Sequence, residues 1–155
     1  MPSRADDERH LHRAIVLSKR AREEGNHPFA ALVVDAQGAE LACAFNGHRS
    51  GPLEHAEVAA LRAALAGRRS LAGATLYSSA EPCAMCAGAA YWSGVARVVY
   101  ALSERRLLQI TGAHPENATL SLPCREVFAR GQRAIETLGP MLEDEAAEAH
   151  RAFWS

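Results

Sequence analysis

Apolar positions change their spacing along this chain in an ordered way. Leu11, Ala14, Ile15 and Leu17 recur at helical intervals, which predicts a first helix over His10–Glu24 closed by Gly25 and Asn26, with Pro28 beyond. Phe29–Ala36 (FAALVVDA) is β-branched and apolar, and Ala39–Asn46 (AELACAFN) returns after a Gln37–Gly38 turn, so the two read as a hairpin. A loop rich in Gly, Ser and Pro, residues 47–53, leads to His55–Gly67, an Ala- and Leu-rich helix with apolar spacing of three and four that ends on glycine. Ala74–Ser79 reads as a third strand. Ala84–Gly94 is a short helix with Pro82 near its start, where proline costs least, and Ala96–Leu102 is a fourth strand. Ser103–Leu122 carries no clear period. Beyond it PCREVFARG predicts two helical turns, RAIETL a fifth strand and LEDEAAEAHRAFW a closing helix.

Strands separated by helices, opened by an antiparallel hairpin, predict one α/β domain over residues 1–155: a three-layer α/β/α arrangement on a mixed five-stranded sheet. The length of 155 residues suits one core and is short for two. Composition changes the picture only by exclusion. Hydrophobic residues at 48% and charged ones at 23% argue against disorder, and 17 Lys+Arg against 18 Asp+Glu advertise no polyanion partner. The N-terminus mixes both charge signs without an apolar core of its own, and no stretch is long enough to span a bilayer, so a cytoplasmic location with reduced thiols is expected.

The candidate chemistry centres on Cys83 and Cys86. Taken alone, this Cys-x-x-Cys pair could be a disulfide, a redox couple or half of a metal site. At i and i+3 on one helix both thiolates can reach one ion, and a helix N-terminus favours the thiolate. Cys43 and Cys124 do not form a second pair, which turns the search for a third ligand to histidine. His10 and His12 lie on a charged helix and read as solvated. His27 and His48 fall in loops, His114 in the unreadable stretch, and His150 on the last, acidic helix. His55 opens a strong helix and is followed two residues later by Glu57. Each residue alone is better explained as a cap, a surface carboxylate or a buried small side chain; the joint pattern is not.

His55-Ala56-Glu57 together with Pro82-Cys83-Ala84-Met85-Cys86 resembles the signature of the zinc-dependent cytidine/deoxycytidylate deaminase superfamily. HAEVAAL, TLYSSAEPCAMCAGAAYW, RVVYAL and NHPFAALVVD are similar to the branch holding bacterial guanine deaminases, cytosine deaminases and tRNA adenosine deaminases, over roughly Asn26–Leu102. The resemblance implies a cytidine deaminase-like fold and Zn2+ on His55, Cys83 and Cys86 with water in the fourth position. It implies Glu57 as the unliganded carboxylate that moves protons, and hydrolytic release of ammonia without an organic cofactor. It further implies substrate contacts from Asn46, from the backbone N–H of Ala56, and from the rings of Trp92 and Phe29. A homodimer is the expected assembly.

The substrate is expected to be a small free base or nucleoside, guanine or a related aminopurine first. Cytosine- or cytidine-type and tRNA adenosine deamination are the alternatives, and a non-catalytic zinc module is the reading from another class. Glu136–His150 is acidic and lacks Lys and Arg, which disfavours nucleic acid. The ending Arg151–Ser155 resembles an aromatic lid carried by Phe153 and Trp154. A second proton-shuttling acid expected in the branch has two candidates, Glu104 and Glu116, and Glu54 stands as an extra carboxylate beside the mouth.

Overall fold

The computed structural model describes residues 1–155. Helix α1 spans Arg4–Glu23, six residues earlier than apolar spacing predicts at its start. The extra turns are polar and are held by a capping box: Ser3 Oγ accepts from the Asp6 N–H at 3.1 Å, and Asp6 Oδ2 accepts from the Ser3 N–H at 2.9 Å. Strands β1 (Ala30–Val34) and β2 (Glu40–Phe45) form the expected hairpin. Helix α2 (Ala56–Ala64), strand β3 (Thr75–Ala80), helix α3 (Ala84–Ser93) and strand β4 (Arg97–Leu102) follow in the predicted order. The stretch without period becomes α4 (Glu104–Thr111) and an irregular loop, and then come α5 (Cys124–Ala129), β5 (Glu136–Leu138) and α6 (Glu143–Glu148). The closing helix is therefore shorter than predicted. After Glu148 the chain turns back on itself, and Trp154 becomes buried.

The sheet runs in the order β2-β1-β3-β4-β5, with β1 antiparallel to both neighbours and β3, β4 and β5 parallel to one another. It is a mixed five-stranded sheet, and every residue of β1, β3 and β4 is buried. Ala31, Val33, Leu76 and Val98 face α2, α3 and α5; Leu32, Tyr77 and Val99 face α1 and the segment around Ala146. Two apolar layers on opposite faces make the α/β/α arrangement. His10 is partly covered rather than solvated, its ring lying 4.7 Å from that of Tyr77.

Alternating strand direction explains where the chemistry gathers. β3 runs toward Glu81 and Cys83, while antiparallel β1 starts at that same edge and β2 ends there. Ala31 pairs with Ser78 and Ala30 with Phe45, so Phe29, Asn46 and Ala80 arrive together, and the Ala30 N–H donates to Ser79 Oγ at 3.0 Å. A buried carboxylate, Glu81, ties α4 and α5 to this edge. Its oxygens accept the backbone N–H groups of Glu104 and Cys124, each at 3.0 Å.

Candidate active site

His55 is the N-cap of α2 and Cys83 the N-cap of α3, both in extended backbone geometry. Two helix N-termini thus converge at the sheet edge, and Cys86 follows one turn into α3. The His55 Nδ1 lies 3.5 Å from Cys83 Sγ and 3.5 Å from Cys86 Sγ. A tetrahedral ion with Zn–S of about 2.3 Å and Zn–N of about 2.05 Å requires an S···N separation of about 3.6 Å, so the three residues fit zinc in number, chemistry and spacing.

Glu57 sits in the first turn of α2, almost fully buried. Ser78 Oγ donates to its Oε1 at 2.7 Å, and Oε2 stands 3.3 Å from Cys86 Sγ. Burial pushes the Glu57 carboxyl up, opposed by the Ser78 hydrogen bond. Hydrogen bonds from Cys86 and then His55 hold the Cys83 thiol down at about 4 against its burial, while the same Cys83 contact and burial push Cys86 up. His55 is raised, chiefly by its hydrogen bond with Cys83. One thiolate beside an imidazole is the donor set that a divalent ion completes by displacing the second proton.

A cavity of about 320 Å³ opens in front of these groups, and His55, Glu57 and Cys83 line it. Asn46, Ala56 and Phe29 line it too. Asn46 Oδ1 already accepts the His48 N–H at 2.7 Å, which leaves its Nδ2 donor without a partner in the protein. Ala56 is the first residue of α2, so its N–H has no helical acceptor.

Trp92 departs from expectation. It is 85% exposed near the end of α3, outside the cavity, because α3 turns its Cys86, Ala87 and Ala90 face into the protein and leaves Trp92 on the opposite side. Tyr91 contacts Trp92 edge-on at 5.2 Å and does not line the cavity either.

Both candidate second acids reach the cavity. Glu104 is pushed up to about 7 by burial and by the charges of Glu81, Cys83 and Glu57. Glu116 stands at the rim on the irregular loop, against His27 and His48. Glu54 does not line the cavity. Phe153 and Trp154 pack on this chain's own residues: Trp154 lies edge-on to His27 at 4.9 Å and donates Nε1–H to His150 Nδ1 at 3.0 Å. These contacts back the cavity wall rather than cover its mouth. His27, His48 and Glu81 were not among the expected site residues; His27 and Glu81 lie inside the family-like stretches NHPFAALVVD and TLYSSAEPCAMCAGAAYW, which could have singled them out, whereas His48 sits on a loop that neither period nor motif marks.

The chain matches the cytidine and deoxycytidylate deaminase zinc-binding region over residues 4–102. It is 39% identical to the "probable cytosine deaminase" of Schizosaccharomyces pombe over 146 residues, 94% of this chain and 90% of that protein. It is 40% identical to the guanine deaminase of Bacillus subtilis over 96 residues, covering 59% of this chain and 61% of that protein. The fold is similar to a solved structure of guanine deaminase from Nitrosomonas europaea, with a TM-score of 0.75 and 28% identity across 93% of this chain and 82% of the other. No helix is long and apolar enough to cross a membrane. A family match spanning most of the chain, seated on a histidine, two cysteines and a buried glutamate at zinc spacing, shows that this protein belongs to the cytidine and deoxycytidylate deaminase family of zinc-dependent hydrolytic deaminases.

Proposed function

We propose that the protein deaminates a small free nucleobase or nucleoside, guanine or a related aminopurine first, with Glu57 as its catalytic residue and His55, Cys83 and Cys86 as its zinc ligands. The observation that carries this reading is Glu57: a carboxylate buried in the cavity wall, in hydrogen-bond contact with Ser78 and beside the Cys86 sulfur, yet not needed as a ligand. Zinc held by the three ligands supplies Lewis acidity that brings a water's pKa to about 7.

The residues of the chain divide the remaining work. Ser78 holds Glu57 Oε1, which leaves Oε2 to carry two protons in turn, the first from water to the ring nitrogen and the second from the newly formed hydroxyl to the departing amine. One C–O bond forms, one C–N bond breaks, and water and the amidine become a carbonyl and ammonia. Asn46 Nδ2 and the Ala56 N–H offer donors to ring acceptors, and Phe29 presents an apolar face to the ring plane.

Support for a purine comes from similarity to solved structures of a protein named NE0047 in complex with 8-azaguanine and with 2,6-diaminopurine, both 27% identical over 95% of this chain. A second reading, cytosine- or cytidine-type deamination, is favoured by one observation, the near full-length similarity to the Schizosaccharomyces pombe protein. The tRNA-specific adenosine deaminase of Bacillus subtilis is matched over only 61% of this chain, and the acidic α6 region repels phosphate. One domain, a cytoplasmic setting and a homodimer complete the proposal. Ammonia release from guanine, guanosine, cytosine, cytidine, adenine and adenosine tests it. Release from guanine is expected to be fastest; activity on tRNA with every small substrate inert would overturn the reading.

A further inference from the structure

Two loops that the deaminase signature does not use meet at the rim of the cavity. The rings of His27 and His48 stack with centroids 3.8 Å apart at 18°. One side chain ties the loops together, Asn26 Oδ1 accepting the Arg49 N–H at 3.0 Å, and Asn46 Oδ1 shapes the second loop by accepting the His48 N–H at 2.7 Å. Trp154 and Phe153 press edge-on against His27 at 4.9 and 5.9 Å. Only His27 aims an Nε2 hydrogen bond at Glu116 Oε1, at 3.0 Å; the His48 Nε2 reaches the same oxygen at 3.0 Å as a close contact without hydrogen-bond geometry. Glu116 Oε2 has no donor within the protein.

Two imidazoles and a carboxylate suggest a second metal site, but the stack forbids it. Imidazole lone pairs lie in the ring planes, and planes 3.8 Å apart at 18° meet only on the order of 10 Å away, far beyond a zinc–nitrogen bond of about 2 Å. The remaining chemistry is that of a fixed anion. Burial lowers the His27 pKa against the opposing pull of its hydrogen bond with Glu116, and that same bond lowers the Glu116 carboxyl. The titratable or charged groups around His27 are His48, Glu116, His114 and His150, with Arg22 acting on His150.

We propose that His27 and His48 are positioning residues for Glu116: they hold its carboxylate at the cavity rim with Oε2 free, where it accepts the imidazole N–H of a purine and so selects the free base over forms substituted at that nitrogen. The inference rests on the deaminase reading and deepens it. A carboxylate with a vacant oxygen gains most from an N–H donor and loses that bond when the nitrogen is glycosylated or methylated.

The test uses the zinc-loaded enzyme and guanine, 9-methylguanine and guanosine as probes. Wild type is expected to favour guanine by about 10- to 100-fold in kcat/KM, mostly through KM. Glu116→Gln and His27→Leu are expected to bring the three probes within a few-fold of one another, and His27→Gln, which keeps a donor, to recover part of the preference. A preference that persists unchanged in these variants, or a wild type that favours guanosine or 9-methylguanine, overturns the inference. Histidine NMR supplies a readout independent of turnover. Glu116→Gln should lower the His27 pKa and change its Nε2–H signal; an unmoved His27 overturns the pairing. If no probe releases ammonia, the deaminase reading for purines fails and substrate selection falls with it, while the NMR result still decides the positioning of Glu116.

Discussion

His150 offers a sharp test of how the C-terminal segment is held. It is 2% exposed, ringed by Phe29 and Trp154, and its Nδ1 accepts the Trp154 indole N–H. Burial, with the charges of Arg22 and His27, pushes its pKa down from an ordinary 6.5 to about 4. Below pH 6.5 the unfolded chain therefore binds a proton that the folded chain refuses, so stability falls as pH drops from 6.5 toward 4 and is unaffected above 6.5. The gap corresponds to about 3 kcal/mol at full effect, and to about 2–4 °C of Tm per kcal/mol for a chain of this size. His150→Gln keeps an acceptor for Trp154 and cannot titrate. Denaturant melts of both proteins between pH 4 and 7.5 should show a wild-type stability that bends downward below pH 6.5 and a variant in which this component is gone. Protonation of His55 and the thiols acts on both proteins alike, so the difference between them isolates His150. Parallel stability–pH curves would refute the reasoning.

Glu57→Gln is expected to retain one zinc per chain by elemental analysis and to lose about 10²–10⁴-fold in kcat; loss of zinc would make Glu57 a ligand or a structural group. Cys83→Ala should lose both metal and turnover, checked by the same two measurements. Asp7→Asn breaks the buried pair in which Asp7 meets both terminal nitrogens of Arg97 and the Tyr77 hydroxyl, and should cost about 3–5 kcal/mol in denaturant melts. Trp92→Ala should leave stability within about 0.5 kcal/mol and KM unchanged, because the side chain is exposed and outside the cavity.

What could be read from the sequence was whatever the chain encodes locally. A helix N-terminus is a local event, so His55-Ala56-Glu57 and Pro82-Cys83-x-x-Cys86 announce two of them, and the period changes around them announce the strands that carry them. Asn46 and Phe29 were marked only by the family resemblance, and the antiparallel pairing of β1 with β2 and β3 is what brings them to the cavity edge. The polar first turns of α1 escaped apolar periodicity, though the capping box was written in Ser3 and Asp6. Other features depend on contacts between distant residues. The outward face of Trp92 depends on which side of α3 meets the sheet, and an all-apolar helix surface carries too little contrast to say. Glu116 lies on an irregular loop without period, and its partners His27 and His48 come from 89 and 68 positions earlier. His150 looked like part of an acidic helix until Trp154 folded back over it. Local pattern marked His55, Cys83 and Cys86 as candidate ligands and outlined the sheet that presents them; only long-range packing decided which acid, histidines and aromatic rings complete the cavity, because burial and hydrogen-bond partners are properties of the folded whole.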